Sequence, residues 1–195
     1  DAAHAQGMRY IEESGMTYID PYNDDVCVYA GQGTIAIEIL ERNPKIDAIV
    51  VPIGGGGLST GVAVAAKSLK PDIGIIGVQT EACPAMIASY RDGVCYGEYP
   101  ATPGICDSVV GGVGILAYKM LKDYVDDIIE IKEESVRRAV SFMAKEEKLI
   151  VEPGSALTVA AVMDYPERVG GENIALVISG GNIDGDLLTE IMNEF

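Results

Sequence analysis

With 195 residues, 48% of them hydrophobic, the chain is long enough to bury one ordinary core. Its 30 acidic against 14 basic side chains leave a net charge of −16, which repels a phosphate backbone and argues against nucleic acid as a partner. Cys27, Cys83, Cys95 and Cys106 show neither C-x-x-C spacing nor matching histidines, so no zinc site or disulfide framework is expected, and they suit a reducing cytoplasm.

No apolar stretch reaches membrane-spanning length and no signal peptide opens the chain, so no membrane partner is expected. Residues 2–14 have helical spacing, with Gly15 placed to end the helix, and the opening DAAHAQG reads as the middle of a helix. The single histidine, His4, falls on this helix and reads as a surface position. Thr17-Tyr18-Ile19 reads as a short strand, and residues 21–25 as a turn-rich loop. Gly31-Gln32-Gly33 precedes a helix over 34–42, closed by Pro44.

Ile49-Val50-Val51 is a β-branched run too short for a helix, and it predicts a buried strand. Pro52 ends it, and Gly54, Gly55, Gly56 and Gly57 lead into a helix from Leu58 to Leu69. Glycine N–H groups can converge on one point, and the following helix N-terminus adds partial positive charge, so the stretch suits a phosphate. A tight turn that packs the helix close to the sheet explains the same glycines. Further strands are expected at 73–78, 128–131 and 175–178, with helices at 84–90, 115–124, 133–147, 155–164 and from about 186. Residues 91–114 are rich in Pro and Gly and read as a long surface or active-site loop. The alternation predicts an α/β fold: a three-layer parallel sheet with helices on both faces. In such a sheet the loops 54–57 and 179–182, each following a strand, share the edge at the strands' carboxyl ends.

There is no G-x-S-x-G, P-loop lysine or G-x-G-x-x-G, so neither a Ser–His triad nor a nucleotide site is indicated. Five segments occur in order: AGQGTIAIEIL (30–40), VVPIGGGGLSTG (50–61), GVQTE (77–81), KLIVEPGSA (148–156) and ISGGNID (178–184). The series resembles the pyridoxal-phosphate-dependent threonine dehydratase and serine racemase family, of the tryptophan-synthase-β fold type (fold type II).

By that resemblance, Gly54, Gly55, Gly56, Gly57 and Leu58 hold the phosphate of pyridoxal 5′-phosphate, Ser179 hydrogen-bonds the pyridine nitrogen, and Glu152 and Gly180 are further cofactor-binding residues. A hydroxyl there, unlike a carboxylate, does not keep the ring protonated, which favours loss of a β-hydroxyl from threonine or serine. Ser179 also reads as a turn or cap residue, and Glu152 either as a pocket wall or as the cap of the helix after it. Serine racemases bind a divalent metal just after the strand equivalent to 74–78. The matching Gln79, Cys83 and Ala85 lack the carboxylates, so no metal is expected. Residues 104–108 (GICDS) stand where dehydratases read Ala-Asp-Gly.

The family's Schiff-base lysine lies upstream in a Ser-x-Lys-x-Arg segment, and none of the eight lysines here has that context. The resemblance therefore implies the carboxyl-terminal portion of such an enzyme: residues 1–20 as the end of the small domain or a linker, and 21–195 as the cofactor domain. It also implies an amino-acid substrate, a lysine-bearing N-terminal segment in cis or as a second chain, and a homo-oligomer. The expected parent reaction is deamination of L-threonine to 2-oxobutanoate. Serine racemase or another hydroxy-amino-acid lyase is an alternative, as is a non-catalytic binding or assembly subunit that keeps the cradle.

Overall fold

A computed structural model describes residues 2–21 and 23–195. Four parallel strands form the centre: β1 (Ala48–Pro52), β2 (Gly74–Thr80), β3 (Asp127–Ile131) and β4 (Ile174–Leu176), in the order β3-β2-β1-β4. Val50 of β1 lies level with Ile76 of β2 on one side and Leu176 of β4 on the other. On the far side of β2, Val78 lies level with Ile129 of β3.

The two-residue period of the strands divides the apolar residues between two cores. Val50, Ile76, Val78, Ile129 and Ile131 face one core; Ile49, Val51 and Ile75 face the other. The first core is covered by α7 (Glu133–Phe142), α8 (Pro153–Asp164) and α10 (Gly185–Glu194). The second is covered by α3 (Thr34–Arg42), α4 (Gly57–Leu69), α5 (Ala85–Asp92) and α6 (Ile115–Tyr124). Helix α8 is buried all round from Pro153 to Ala161, which explains why its small and apolar residues show no polar face. This is the three-layer arrangement expected of alternating strands and helices.

Helix α1 (Ala2–Ser14) ends at Gly15, whose φ of +67° is a left-handed stop. His4 falls on this helix, and its side chain lies outside what is described. The strand expected at 17–19 does not form. Met16 and Ile19 are exposed and the stretch pairs with no strand among the described residues, so nothing completes a ladder there. Part of the expected loop at 21–25 instead starts α2 (Asp25–Gly31), whose cap is Asp24 accepting from the Cys27 N–H at 2.9 Å. A short α9 (Pro166–Val169) also lies outside the sequence-based elements.

The helix expected to reach 147 is α-helical only to Phe142. It continues as a π-helical turn, Met143–Glu147, and closes at Lys148, which has a φ of +61°. Cys83, Cys95 and Cys106 are free thiols. Among the described residues no helix is long and apolar enough to cross a membrane.

Candidate active site

Strand β1 has β2 on one side and β4, the last strand in the chain, on the other. The helix after β1 (α4) and the helix after β4 (α10) cover opposite faces of the sheet, and open α/β sheets bind ligands at such a point, beyond the carboxyl ends of the strands. A cleft of about 280 Å³ lies there, walled by Gly54, Gly55, Gly56, Gly57, Leu58, Ser108, Val109, Glu152 and Ser179, with Gln32 and Pro52. The two loops expected to share an edge of the sheet do so.

The glycine loop is shaped by its neighbours. The Gly55 carbonyl is held by the Gly114 N–H at 2.8 Å, and the Gly56 carbonyl accepts from the Thr60 N–H and from the Ser59 and Thr60 hydroxyls. The N–H groups of 54–58, by contrast, have no acceptor among the described residues, as expected for a loop entering the first turn of a helix. Gly56 has φ +97°, and a Cβ on it would lie 2.3 Å from the Ala117 Cβ. A Cβ on Gly54 would press on the Val109 backbone at 3.2 Å. The glycines thus allow close packing, and residues 54–58, which line the cleft, have N–H groups without an acceptor among the described residues.

Opposite, Ser179 is exposed to the cleft, and its hydroxyl lies 3.2 Å from the Ser155 hydroxyl. Glu152 occupies the N-cap position of α8 but its side chain caps nothing. Its Oε2 instead accepts from the Asn182 N–H at 3.3 Å, while its own N–H donates to the Gly180 carbonyl at 3.1 Å. Gly180 differs from expectation. It stands behind the wall rather than in it, with its N–H on Ser155 Oγ at 2.7 Å and its carbonyl on Glu152, so it fixes the backbone next to Ser179. A side chain there would strike the Glu152 carboxylate at 2.6 Å.

Sequence reasoning passed over Ser155, Val109 and Gln32. The small residues of EPGSA were a signal for close packing, but only the fold shows that Ser155 faces Ser179. Gln79, expected where a metal ligand would stand, is 1% exposed, and its amide is committed to backbone. It donates to the Ile53 carbonyl at 3.2 Å and accepts from Met86 and Ile87 at 3.0 and 3.1 Å, tying β2 to the start of the glycine loop and to α5. Cys83 exchanges hydrogen bonds with the Gly111 backbone. Among the described residues no group of three or more His, Cys, Asp or Glu is placed to hold a metal ion.

The loop 104–109 is carried into the cleft by Glu133 at the start of α7. Its carboxylate accepts from the Ile105 N–H at 2.6 Å and from the Thr80 hydroxyl. Under this contact lies Cys106, 1% exposed, its thiol pushed up by burial and secondarily by the nearby Glu133 charge. Such a thiol is a poor nucleophile.

Residues 1–180 match the family described as pyridoxal-phosphate dependent enzyme. The whole chain is 41% identical to an L-threonine ammonia-lyase of Thermotoga maritima, covering 48% of that protein. Over 93% of the chain it is 38% identical to a catabolic L-threonine dehydratase of Escherichia coli (strain K12), covering 55% of that protein. The structure of maize serine racemase superposes with a TM-score of 0.84 at 31% identity, covering 98% of this chain and 59% of that one. The chain thus spans about half the length of the relatives it matches. With residues 1–180 matching the family model and these likenesses beside it, the chain belongs to the pyridoxal-phosphate-dependent enzyme family.

Proposed function

We propose that this chain carries the phosphate and ring-nitrogen side of the cofactor site of a threonine or serine ammonia-lyase that deaminates L-threonine to 2-oxobutanoate in the cytoplasm. The observation that supports the reading is one cleft lined both by residues 54–58, whose N–H groups have no acceptor among the described residues, and by Ser179. Relatives named as threonine ammonia-lyase and threonine dehydratase support the reaction class.

Gly54, Gly55, Gly56, Gly57 and Leu58 would hold the phosphate through backbone donors and the positive end of α4. Ser179 would donate to the pyridine nitrogen, and Gly180 would keep it in place. Glu152 and the 104–109 loop would close the substrate side. Pyridoxal phosphate, when bound, supplies the electron sink for a carbanion at the substrate Cα.

None of the eight lysines lines the cleft. Lys67 pairs with Asp126, and Lys70 donates to the Pro44 and Ile46 carbonyls. The lysine that joins the cofactor would therefore come from a segment outside this sequence, in cis or from a second chain, with 1–20 leading from a small domain and the whole assembling as a homo-oligomer. Commitment of Gln79 to the backbone favours the lyase over a metal-dependent racemase.

The test is a titration of inorganic phosphate and of pyridoxal phosphate into the chain. Gly56→Asp, which adds bulk and negative charge at the cradle, is expected to weaken both at least tenfold. Ser179→Ala is expected to spare phosphate and weaken pyridoxal phosphate. Equal affinities in all three proteins overturn the assignment, and a melting curve for each variant separates lost binding from lost fold.

A further inference from the structure

We propose that Ser155 is a positioning residue that makes the Ser179 hydroxyl a fixed hydrogen-bond donor into the cleft, so that the site selects an aromatic ring whose nitrogen is an unprotonated acceptor. This deepens the cofactor reading above, on which the nature of the ligand rests. The direction of the hydrogen bond rests on the two serines alone.

A serine hydroxyl has one proton and two acceptor positions. Ser155 is fully buried, and its Oγ takes the Gly180 N–H at 2.7 Å. Within reach of that Oγ, the other polar atom among the described residues is Ser179 Oγ at 3.2 Å. If Ser179 donated, Ser155 would accept twice and its own proton would be buried without a partner, which costs as much as a lost hydrogen bond. If Ser155 donates, every group of Ser155 is satisfied, and the proton left over belongs to Ser179, which is exposed to the cleft. The chain Gly180 N–H to Ser155 to Ser179 then runs one way, each bond polarising the next, and ends in a donor.

A hydroxyl fixed as a donor there gives its proton to the lone pair of a neutral pyridine nitrogen and meets a protonated ring proton-to-proton. The charged group on the same wall, Glu152, has its Oε2 turned to the Asn182 N–H.

The experiment uses a probe that needs no lysine, 4-deoxypyridoxine 5′-phosphate, beside its carbocyclic counterpart in which C–H replaces the ring nitrogen. Wild-type chain is expected to bind the pyridine at least tenfold more tightly. Ser155→Ala is expected to leave affinity for the carbocycle unchanged and to cut the pyridine preference at least threefold, since the Ser179 proton is then free to turn away. A merely structural role would weaken both probes alike. An unchanged preference in Ser155→Ala overturns the proposal while leaving the cradle intact.

A ligand-free measurement keeps the two readings apart. Ser179→Ala orphans the Ser155 proton, so melting is expected to fall by several degrees although Ser179 is an exposed serine. In a Ser155→Ala background the same change is expected to cost nothing. Equal effects in both backgrounds overturn the proposal whatever the ligand titrations show, whereas failure of both probes to bind wild type overturns the cofactor reading.

Discussion

The carboxylate of Glu133 accepts a hydrogen bond from the Ile105 N–H at 2.6 Å across 28 residues of sequence, and this contact joins the first turn of α7 to the loop that walls the cleft. The same carboxylate takes the Thr80 hydroxyl, so one side chain anchors the carboxyl end of β2 and the loop together.

Replacing Glu133 by Ala therefore leaves the Ile105 N–H and the Thr80 hydroxyl without their partner and is expected to cost about 1–3 kcal/mol. The loop is expected to open locally, and Cys106 beneath it to become reactive toward a thiol reagent. Labelling of Cys106 in native protein, read by mass spectrometry, checks this. Labelling that stays as slow as in wild type would show that Glu133 does not hold the loop.

Gly56 is bound to its identity twice, by a φ of +97° and by the Ala117 methyl at 2.3 Å from any added Cβ. Gly56→Ala is expected to lower stability by about 2–5 kcal/mol, from backbone strain together with overpacking. Pairing it with Ala117→Gly removes the collision but not the strain, so chemical denaturation is expected to show partial recovery. Full recovery would mean that the backbone conformation carries no cost.

Asp47 binds the start of β4 to the start of β1: its Oδ2 accepts from the Asn173 N–H at 3.0 Å and from the Glu172 N–H at 3.1 Å. These bonds, the one from Asn173 foremost, hold its carboxyl below the ordinary carboxylate value. A depressed carboxylate contributes stability that is present above its unfolded value, near pH 4, and is lost as pH falls through the folded value. Denaturation midpoints measured at neutral pH and below pH 4 are expected to fall further for wild type than for Asp47→Asn. Parallel falls would remove Asp47 from the acid sensitivity of the fold.

The chain by itself, supplied with pyridoxal phosphate and L-threonine, is expected to release no ammonia, because imine formation and proton transfer at Cα need a positioned lysine and none of the eight lines the cleft. Adding a lysine-bearing N-terminal segment, in cis or as a second chain, is expected to restore release. Turnover by the 195-residue chain, verified by mass to be free of any partner and dependent on one internal lysine, would relocate the active site.

Much of the site was legible from residue order alone, because local chemistry wrote it. The β-branched run at 49–51, the proline after it and four glycines before a helical stretch can only be a strand, a turn and a helix start. Parallel strands then put the turn after β1 beside the turn after β4. Helix α6 was placed at its observed bounds, since Gly114 and the composition of 115–124 mark it locally.

Other features had no local signature. Thr17–Ile19 has strand composition but joins no sheet among the described residues, and β propensity without a ladder does not make a strand. The α-helix of 133–142 passes into a π turn at Met143, although the sequence pattern continues as an α-helix. The partnership of Ser155 with Ser179, the latch of Glu133 on Ile105 and the withdrawal of Gly180 behind the cleft wall join residues 24 to 28 positions apart. Sequence spacing does not encode which buried hydroxyl meets which, since that depends on how α7 and α8 pack against the sheet. Tertiary packing therefore decided the polar wiring of the site, while the order of glycines, prolines and apolar runs had already determined where the site would be.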